Sequence, residues 1–181
     1  MNSVTPFPDD LIAPADQILD PDALARAIDD ARANTSTAKA FRKAAIDLLL
    51  DAQEKGRETI ASAFGEQPAK SAATTRAYCW LTDCLVMTAL HLAQTHLSDK
   101  NAKPGAFALC AVGGYGRGEM APHSDVDLLF LADAKISPDL ESLIETVLYV
   151  LWDLRLKVGH SSRTIRDCLK LGAEDYTIRT A

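Results

Sequence analysis

Hydrophobic and polar positions change their period near residue 103 of the 181-residue chain. Before that point, apolar residues recur three and four positions apart, as they do on one face of an α-helix. Asp20-Pro21 has the form of an N-cap followed by proline at the first helical position, which predicts a helix from there to about Asn34. Residues 35–37 read as a break and a new cap, and the same periodicity predicts a longer helix from there to about residue 64. After residues 65–68 it predicts another helix, to about residue 97.

Beyond residue 103 the pattern predicts strands as well as helices. Residues 106–112 are a compact apolar run between turn formers, which predicts a buried strand. A second strand is predicted over residues 125–133 and a third over residues 155–163, with an amphipathic helix beginning at Ser137-Pro138 between them. A short helix is expected to follow, over residues 164–171. This half therefore has the pattern of an α/β or α+β fold with a small sheet.

These patterns predict three segments. Residues 1–19 are rich in proline and lack a periodic apolar face, which predicts an extended or disordered lead-in. Residues 20–102 are predicted to be helical and contain no motif that indicates chemistry. Residues 103–181 are predicted to hold the sheet. The last of them, residues 173–181, lack a stop signal, so we expect a helix that is cut off and a chain that is a fragment.

Composition narrows the range of functions. The net charge of -6 and the isoelectric point near 5.1 argue against a broad surface for nucleic acid or for anionic membranes. We find no signal peptide and no apolar run long enough to span a bilayer, which predicts a cytoplasmic protein. The cysteines show no metal-binding spacing and are expected to be reduced thiols. They are Cys79, Cys84, Cys110 and Cys168.

A glycine-rich segment links the first two predicted strands. It reads Gly113-Gly114-Tyr115-Gly116-Arg117-Gly118. Glycine allows backbone N–H groups to approach a ligand closely, and Arg117 adds a permanent positive charge that suits phosphate oxygens. A turn of this kind is structural in most proteins, so on its own it indicates little.

Two acidic residues begin the second predicted strand. Asp125 and Asp127 are two positions apart, which places their side chains on one face of a strand, opposite Val126 and Leu128. Neighbouring carboxylates repel one another unless a cation lies between them, and Mg²⁺ accepts such oxygen ligands together with phosphates. Two solvated aspartates at the end of a strand would give the same local pattern.

The two features together resemble the nucleotidyltransferase superfamily, which has the polymerase-β-like fold. In that α+β fold a small mixed sheet with flanking helices carries a glycine turn, and an Asp-x-Asp begins the next strand. Here ten residues separate Gly114 from Asp125. The resemblance implies that the turn holds a nucleoside triphosphate and that Asp125 and Asp127 are the catalytic, metal-binding residues.

Two longer stretches resemble the bacterial PII uridylyltransferase/uridylyl-removing enzymes in particular. They are AVGGYGRGEMAPHSDVDLLFL at residues 111–131 and LWDLRLKVGHSSRT at residues 151–164. The resemblance implies transfer of UMP from UTP to a tyrosine of the PII signalling protein, within a glutamine-responsive sensor of nitrogen metabolism. It also implies phosphate binding by Gly113, Gly114, Arg117 and Ser124, and Mg²⁺ as cofactor, with Mn²⁺ as the alternative.

The chain departs from the superfamily pattern in one respect, the third carboxylate on a neighbouring strand. Residues 155–160, where it is expected, contain no acid. The nearest acids are Asp153, Asp167 and Asp175. Two polar residues of this region, His160 and Arg163, could face the cleft, although His160 could equally be a buried histidine. The sequence therefore assigns no third metal ligand.

Two other functions fit the same residues. An adenylyltransferase of the same superfamily would use the same phosphate and metal ligands, since these do not read the base. A non-catalytic regulatory or protein-binding fragment would keep the site without turnover. The sequence does not predict an oligomeric state.

Overall fold

The computed structural model describes Pro8, residues 10–99 and residues 101–174, which contain seven α-helices and one three-stranded sheet. The helices are α1 (Ala15–Ile18), α2 (Pro21–Asn34), α3 (Ala38–Glu66), α4 (Ser71–Leu92), α5 (Gly113–Gly116), α6 (Pro138–Asp153) and α7 (Ile165–Glu174). The strands are β1 (Phe107–Ala111), β2 (Val126–Ala132) and β3 (Val158–Thr164). The helix predicted over residues 173–181 lies outside the described residues from 175 onward. No described helix is both long enough and apolar enough to cross a membrane.

Helix starts in the N-terminal half follow the predicted caps. The carboxylate of Asp20 accepts hydrogen bonds from the N–H groups of Asp22 and Ala23, each at 2.9 Å. The hydroxyl of Thr37 accepts one from Ala40 at 3.1 Å. Each cap satisfies N–H groups that have no acceptor within the helix. The predicted starts of α2 and α3 are therefore confirmed.

The prediction of an extended or disordered lead-in over residues 1–19 is wrong for the last part of that segment. Residues 15–18 form α1, and Ile12, Ala15 and Ile18 are buried. The reason is packing against α3. A Cβ placed on Gly56 of α3 would lie 2.8 Å from the carbonyl oxygen of Ile18, which shows how closely α1 packs on α3. Residues 1–7 and residue 9 lie outside the described residues.

Two compact units make up the described chain. One consists of the helices up to Thr88 together with the short segment Met120–Pro122, and the other runs from Ala89 to Glu119 and from His123 onward. The division falls inside α4 rather than at residue 103. The π-helical turn Ala93–Leu97 continues α4 and packs against α6, both in the second unit.

In the second unit, β2 is the central strand of the sheet. It pairs antiparallel with β1 and parallel with β3. Its residues alternate between buried (Val126, Leu128, Phe130, Ala132) and half-buried (Asp127, Leu129, Leu131), as predicted for a strand with one face in the core. Helix α6 contributes the other large set of buried side chains in this unit, and the hydroxyl of Ser137 caps it as predicted.

The prediction of a buried first strand is wrong. Every residue of β1 is half-buried or exposed, because β1 has β2 as its only neighbour among the described strands. The third strand begins at Val158, three residues later than predicted. Arg155, with φ 57°, belongs to the turn that follows α6. The result is the α+β fold with a small mixed sheet that the sequence predicts.

Candidate active site

A tight turn connects β1 to the single-turn helix α5. It is closed by hydrogen bonds from Gly116 N–H to Val112 O at 2.9 Å and from Glu119 N–H to Gly114 O at 2.9 Å. Gly113 has φ 62°, a left-handed conformation that glycine adopts without strain. A Cβ at Gly116 would lie 2.6 Å from the carbonyl oxygen of Ala111. Two glycines of the motif are therefore required by the shape of the turn itself.

Asp127 lies beside this turn. Its backbone carbonyl accepts a hydrogen bond from Val112 N–H at 3.0 Å, which ties the start of the turn to β2. Its carboxylate Oδ2 would be 3.0 Å from a Cβ placed on Gly113. The structure thus brings a predicted phosphate-binding glycine and a predicted metal-binding acid into direct proximity, although thirteen residues separate them in the sequence.

Asp125 and Ser124 immediately precede β2. The backbone is already held there, since Val126 N–H donates to the carbonyl of Lys157 at 2.8 Å. Asp125 is exposed and Asp127 is half-buried, while Val126 between them is buried. This alternation places both acids on the same face of the strand, with Cα atoms about 6.6 Å apart for an extended backbone. Ser124 is half-buried next to them.

Arg117 occupies the rim of the turn, at the end of α5. Its Nε donates to Oε2 of Glu119 at 3.1 Å, and both side chains are more than half exposed. A pair this exposed contributes little to stability and leaves the terminal guanidinium nitrogens accessible to an anion. Sequence reasoning proposed Arg117 for phosphate and did not foresee this carboxylate partner.

The register of β2 and β3 decides which polar residues of β3 share a face with the acids. His160 is paired with Leu128, so it lies on the opposite face from Asp127, and it is exposed. Arg163 is paired with Leu131 and lies on the same face as Asp127, but four residues farther along the strand. The residue directly beside Asp127 is Gly159, which sequence reasoning missed. A glycine inside a predicted strand was the available signal.

Neither of the two described candidates for a third carboxylate, Asp153 and Asp167, joins the two acids. Asp167 forms a capping box with Thr164 at the start of α7: its carboxylate accepts from the Thr164 hydroxyl at 2.7 Å, and its N–H donates to that hydroxyl. Asp153 is the last residue of α6, and Asp175 lies outside the described residues. Within the described ranges, no group of three or more His, Cys, Asp or Glu side chains is arranged to hold a metal ion.

Comparison with protein families is consistent with this geometry. Residues 55–154 match the model of a family described as "Putative nucleotidyltransferase DUF294". The match covers the glycine turn and both acids and ends at the residue after α6. No solved structure matches the chain.

Curated relatives carry a more specific name. The chain is 49% identical over 166 residues to the bifunctional uridylyltransferase/uridylyl-removing enzyme of Ruegeria pomeroyi, a match that covers 91% of the chain and 18% of the relative. It is 48% identical over 175 residues to the enzyme of that name from Cereibacter sphaeroides, covering 94% and 19%. For Caulobacter vibrioides the identity is 46% over 142 residues, covering 77% and 15%. The chain thus spans less than a fifth of the length of these relatives.

Proposed function

Since this chain belongs to the DUF294 nucleotidyltransferase family, we propose that its site transfers UMP from UTP to a tyrosine of a PII signalling protein, with release of pyrophosphate. The observation that supports this most directly is the approach of Gly113 to Oδ2 of Asp127. It means that a triphosphate on the turn and a cation on the acid would be in contact with one another. The name of the relatives supports uridylyl transfer.

The turn supplies the phosphate-binding groups. The N–H groups of Gly113 and Gly114 open α5, where a helix offers its first N–H groups no internal acceptor. They are therefore available to the β- and γ-phosphate oxygens, with the guanidinium of Arg117 and the hydroxyl of Ser124 at the edge of the same site. A cation and oriented backbone dipoles together compensate the charge of a triphosphate.

Asp125 and Asp127 are the proposed ligands of Mg²⁺ or Mn²⁺. Two carboxylates on one face, one exposed and one half-buried, fit Mg²⁺, which binds one or two carboxylates and completes its shell with phosphates and water. When bound, the metal would neutralise charge that develops on the phosphates and lower the pKa of the attacking hydroxyl. The lack of a third clustered acid among the described residues is compatible with this ligand count.

The proposed reaction is an in-line displacement. The phenolic oxygen of the acceptor tyrosine forms a bond to the α-phosphorus, the bond from the α-phosphorus to the α,β-bridging oxygen breaks, and pyrophosphate leaves with the electron pair. The phenolic proton is released to solvent. The residues of this chain bind and orient the triphosphate, so the rate gain comes from positioning and from charge stabilisation. We place this reaction in the cytoplasm, within a glutamine-responsive sensor.

A labelling experiment tests the proposal on the full-length natural protein. Purified protein is incubated with Mg²⁺, a PII protein and either α-³²P-labelled UTP or α-³²P-labelled ATP. We expect label on the PII protein from UTP only, and loss of the label when the acceptor tyrosine is changed to phenylalanine. Tighter binding of ATP than of UTP in calorimetry with Mg²⁺ would favour the adenylyltransferase alternative. Binding of UTP with no label on the PII protein would favour the non-catalytic one.

A further inference from the structure

We infer that Gly159 is a positioning residue for Asp127. The space left by its missing side chain receives the Asp127 carboxylate, and together with Gly113 it leaves that carboxylate free to take the direction that it has in the structure. The division of roles between Asp127 and Asp125 described below rests on the proposed function. The steric relationship between Gly159 and Asp127 does not.

The register of the sheet brings the two residues side by side. Gly159 of β3 and Asp127 of β2 are direct partners in the parallel pairing. Neighbouring strands lie about 4.8 Å apart, and residues paired across them project to the same face. A side chain at position 159 would therefore stand next to the Asp127 side chain.

Each oxygen of the carboxylate lies in space that a side chain at a glycine position would take. A Cβ at Gly159 would overlap Oδ1 of Asp127, and a Cβ at Gly113 would lie 3.0 Å from Oδ2. Both distances are shorter than an ordinary contact between carbon and oxygen atoms. We call the space between Gly113 and Gly159 the carboxylate slot. The Asp127 carboxylate lies in this slot.

Backbone conformation does not explain the glycine at position 159. In the described residues, positive φ angles at glycine occur at Gly105, Gly113 and Gly118, so Gly159 has the extended backbone that any residue adopts in a strand. Glycine inside a strand weakens it, because the flexible residue loses more entropy on folding and has no side chain to pack. The space that Asp127 occupies is what requires glycine here.

The slot gives the two acids different roles. Asp127 is half-buried and its carboxylate lies between two glycine positions, whereas Asp125 is exposed just before β2. Asp127 is the ligand whose direction is set before substrate binds, and Asp125 is the one that adapts to the metal and the nucleotide. A preset ligand lowers the cost of assembling the site.

Hydrogen–deuterium exchange in the full-length natural protein tests the slot without an activity assay. Gly159→Ala should speed exchange in peptides covering β2 and β3 by about twofold to threefold, since the end of the Asp127 side chain must shift to make room for the added methyl group. In an Asp127→Ala background the same substitution should give no acceleration, because the overlapping oxygen is gone. Gly172→Ala in α7, where a Cβ would meet nothing within 4 Å, is the matched control. Equal acceleration in both backgrounds would overturn the inference.

Metal dependence provides the second readout. Gly159→Ala should raise the Mg²⁺ concentration needed for half-maximal UMP transfer by about tenfold, as changes next to a metal ligand do, with a smaller effect on the Kd for UTP. An unchanged Mg²⁺ dependence would overturn the positioning role. If Asp127→Asn transferred UMP at the parental rate, the proposed function would be wrong. The exchange experiment would still test the steric relationship between Gly159 and Asp127.

Discussion

Gly159 is the register partner of Asp127 across the parallel pair of β2 and β3, and its missing side chain leaves the room that Asp127 Oδ1 occupies. On the other side of the same carboxylate lies Gly113, the first residue of the turn. Two glycines that are far apart in the chain thus border the carboxylate of one acid.

Replacing either acid by its isosteric amide should remove transfer and keep the fold. For Asp125→Asn and Asp127→Asn in the full-length protein, we expect the rate of UMP transfer to fall by at least about a hundredfold, because a neutral amide is a poor metal ligand. The melting temperature should stay close to the parental value. Asp133→Asn, an exposed acid just after β2, is the control and should transfer normally. Parental activity in either site variant would refute the metal assignment.

The glycines of the turn should differ in their tolerance of a side chain. Gly116→Ala would place a Cβ 2.6 Å from the carbonyl oxygen of Ala111 and should cost about 1–3 kcal/mol of stability. In Gly114→Ala the nearest atom, the carbonyl oxygen of Glu119, would be 3.7 Å away, so stability should be kept or raised by up to about 1 kcal/mol. Denaturant unfolding of the two variants measures the difference, and equal costs would contradict this geometry.

Arg117 should affect nucleotide binding more than folding. Arg117→Ala should raise the Kd for UTP about tenfold through loss of a charged hydrogen bond to phosphate. Glu119→Gln should lower that Kd up to a fewfold, since the guanidinium would no longer be shared with a carboxylate. The pair is exposed, so both variants should unfold within about 1 kcal/mol of the parent. Calorimetric titration with UTP provides the measurement; an unchanged Kd in Arg117→Ala would remove this residue from the site.

Cys84 should resist alkylation in the folded protein. It is 5% exposed, and burial, with a smaller effect from Asp83, raises the pKa of its thiol to about 12. The reactive thiolate is therefore scarce at pH 8. Iodoacetamide labelling followed by mass spectrometry should show modification of half-buried Cys168 first, and of Cys84 only after denaturation. Equal labelling rates in the native protein would contradict the buried position of Cys84.

The start of α7 should weaken in acid. Hydrogen bonds from the side chain and the backbone of Thr164 lower the pKa of Asp167 below its ordinary value of 3.8. Because the folded pKa is lower than the unfolded one, the stabilisation is present above pH 3.8 and is lost as the pH falls below it. Amide exchange in α7 should accelerate below pH 3.8 relative to the rest of the second compact unit. In Asp167→Asn this extra acceleration should be absent; if it persisted, the capping carboxylate would not be its source.

Local signals in the sequence determined much of this protein. The caps at Asp20 and Thr37 set the starts of α2 and α3, because a side-chain acceptor two or three residues away acts without help from the rest of the fold. The alternation along β2 predicted which face is buried. The glycine run and the paired aspartates were enough to indicate a nucleotidyltransferase site.

Tertiary structure decided what depends on distant neighbours. Burial of β1 could not be read from its apolar run, since exposure depends on how many strands flank it. Helix α1 formed where proline suggested an extended chain, because α3 offers it a packing surface. Only the pairing of β2 with β3 placed Gly159 beside Asp127 and His160 on the other face. A register shift of one residue would exchange those faces, and no local pattern in β3 sets the register.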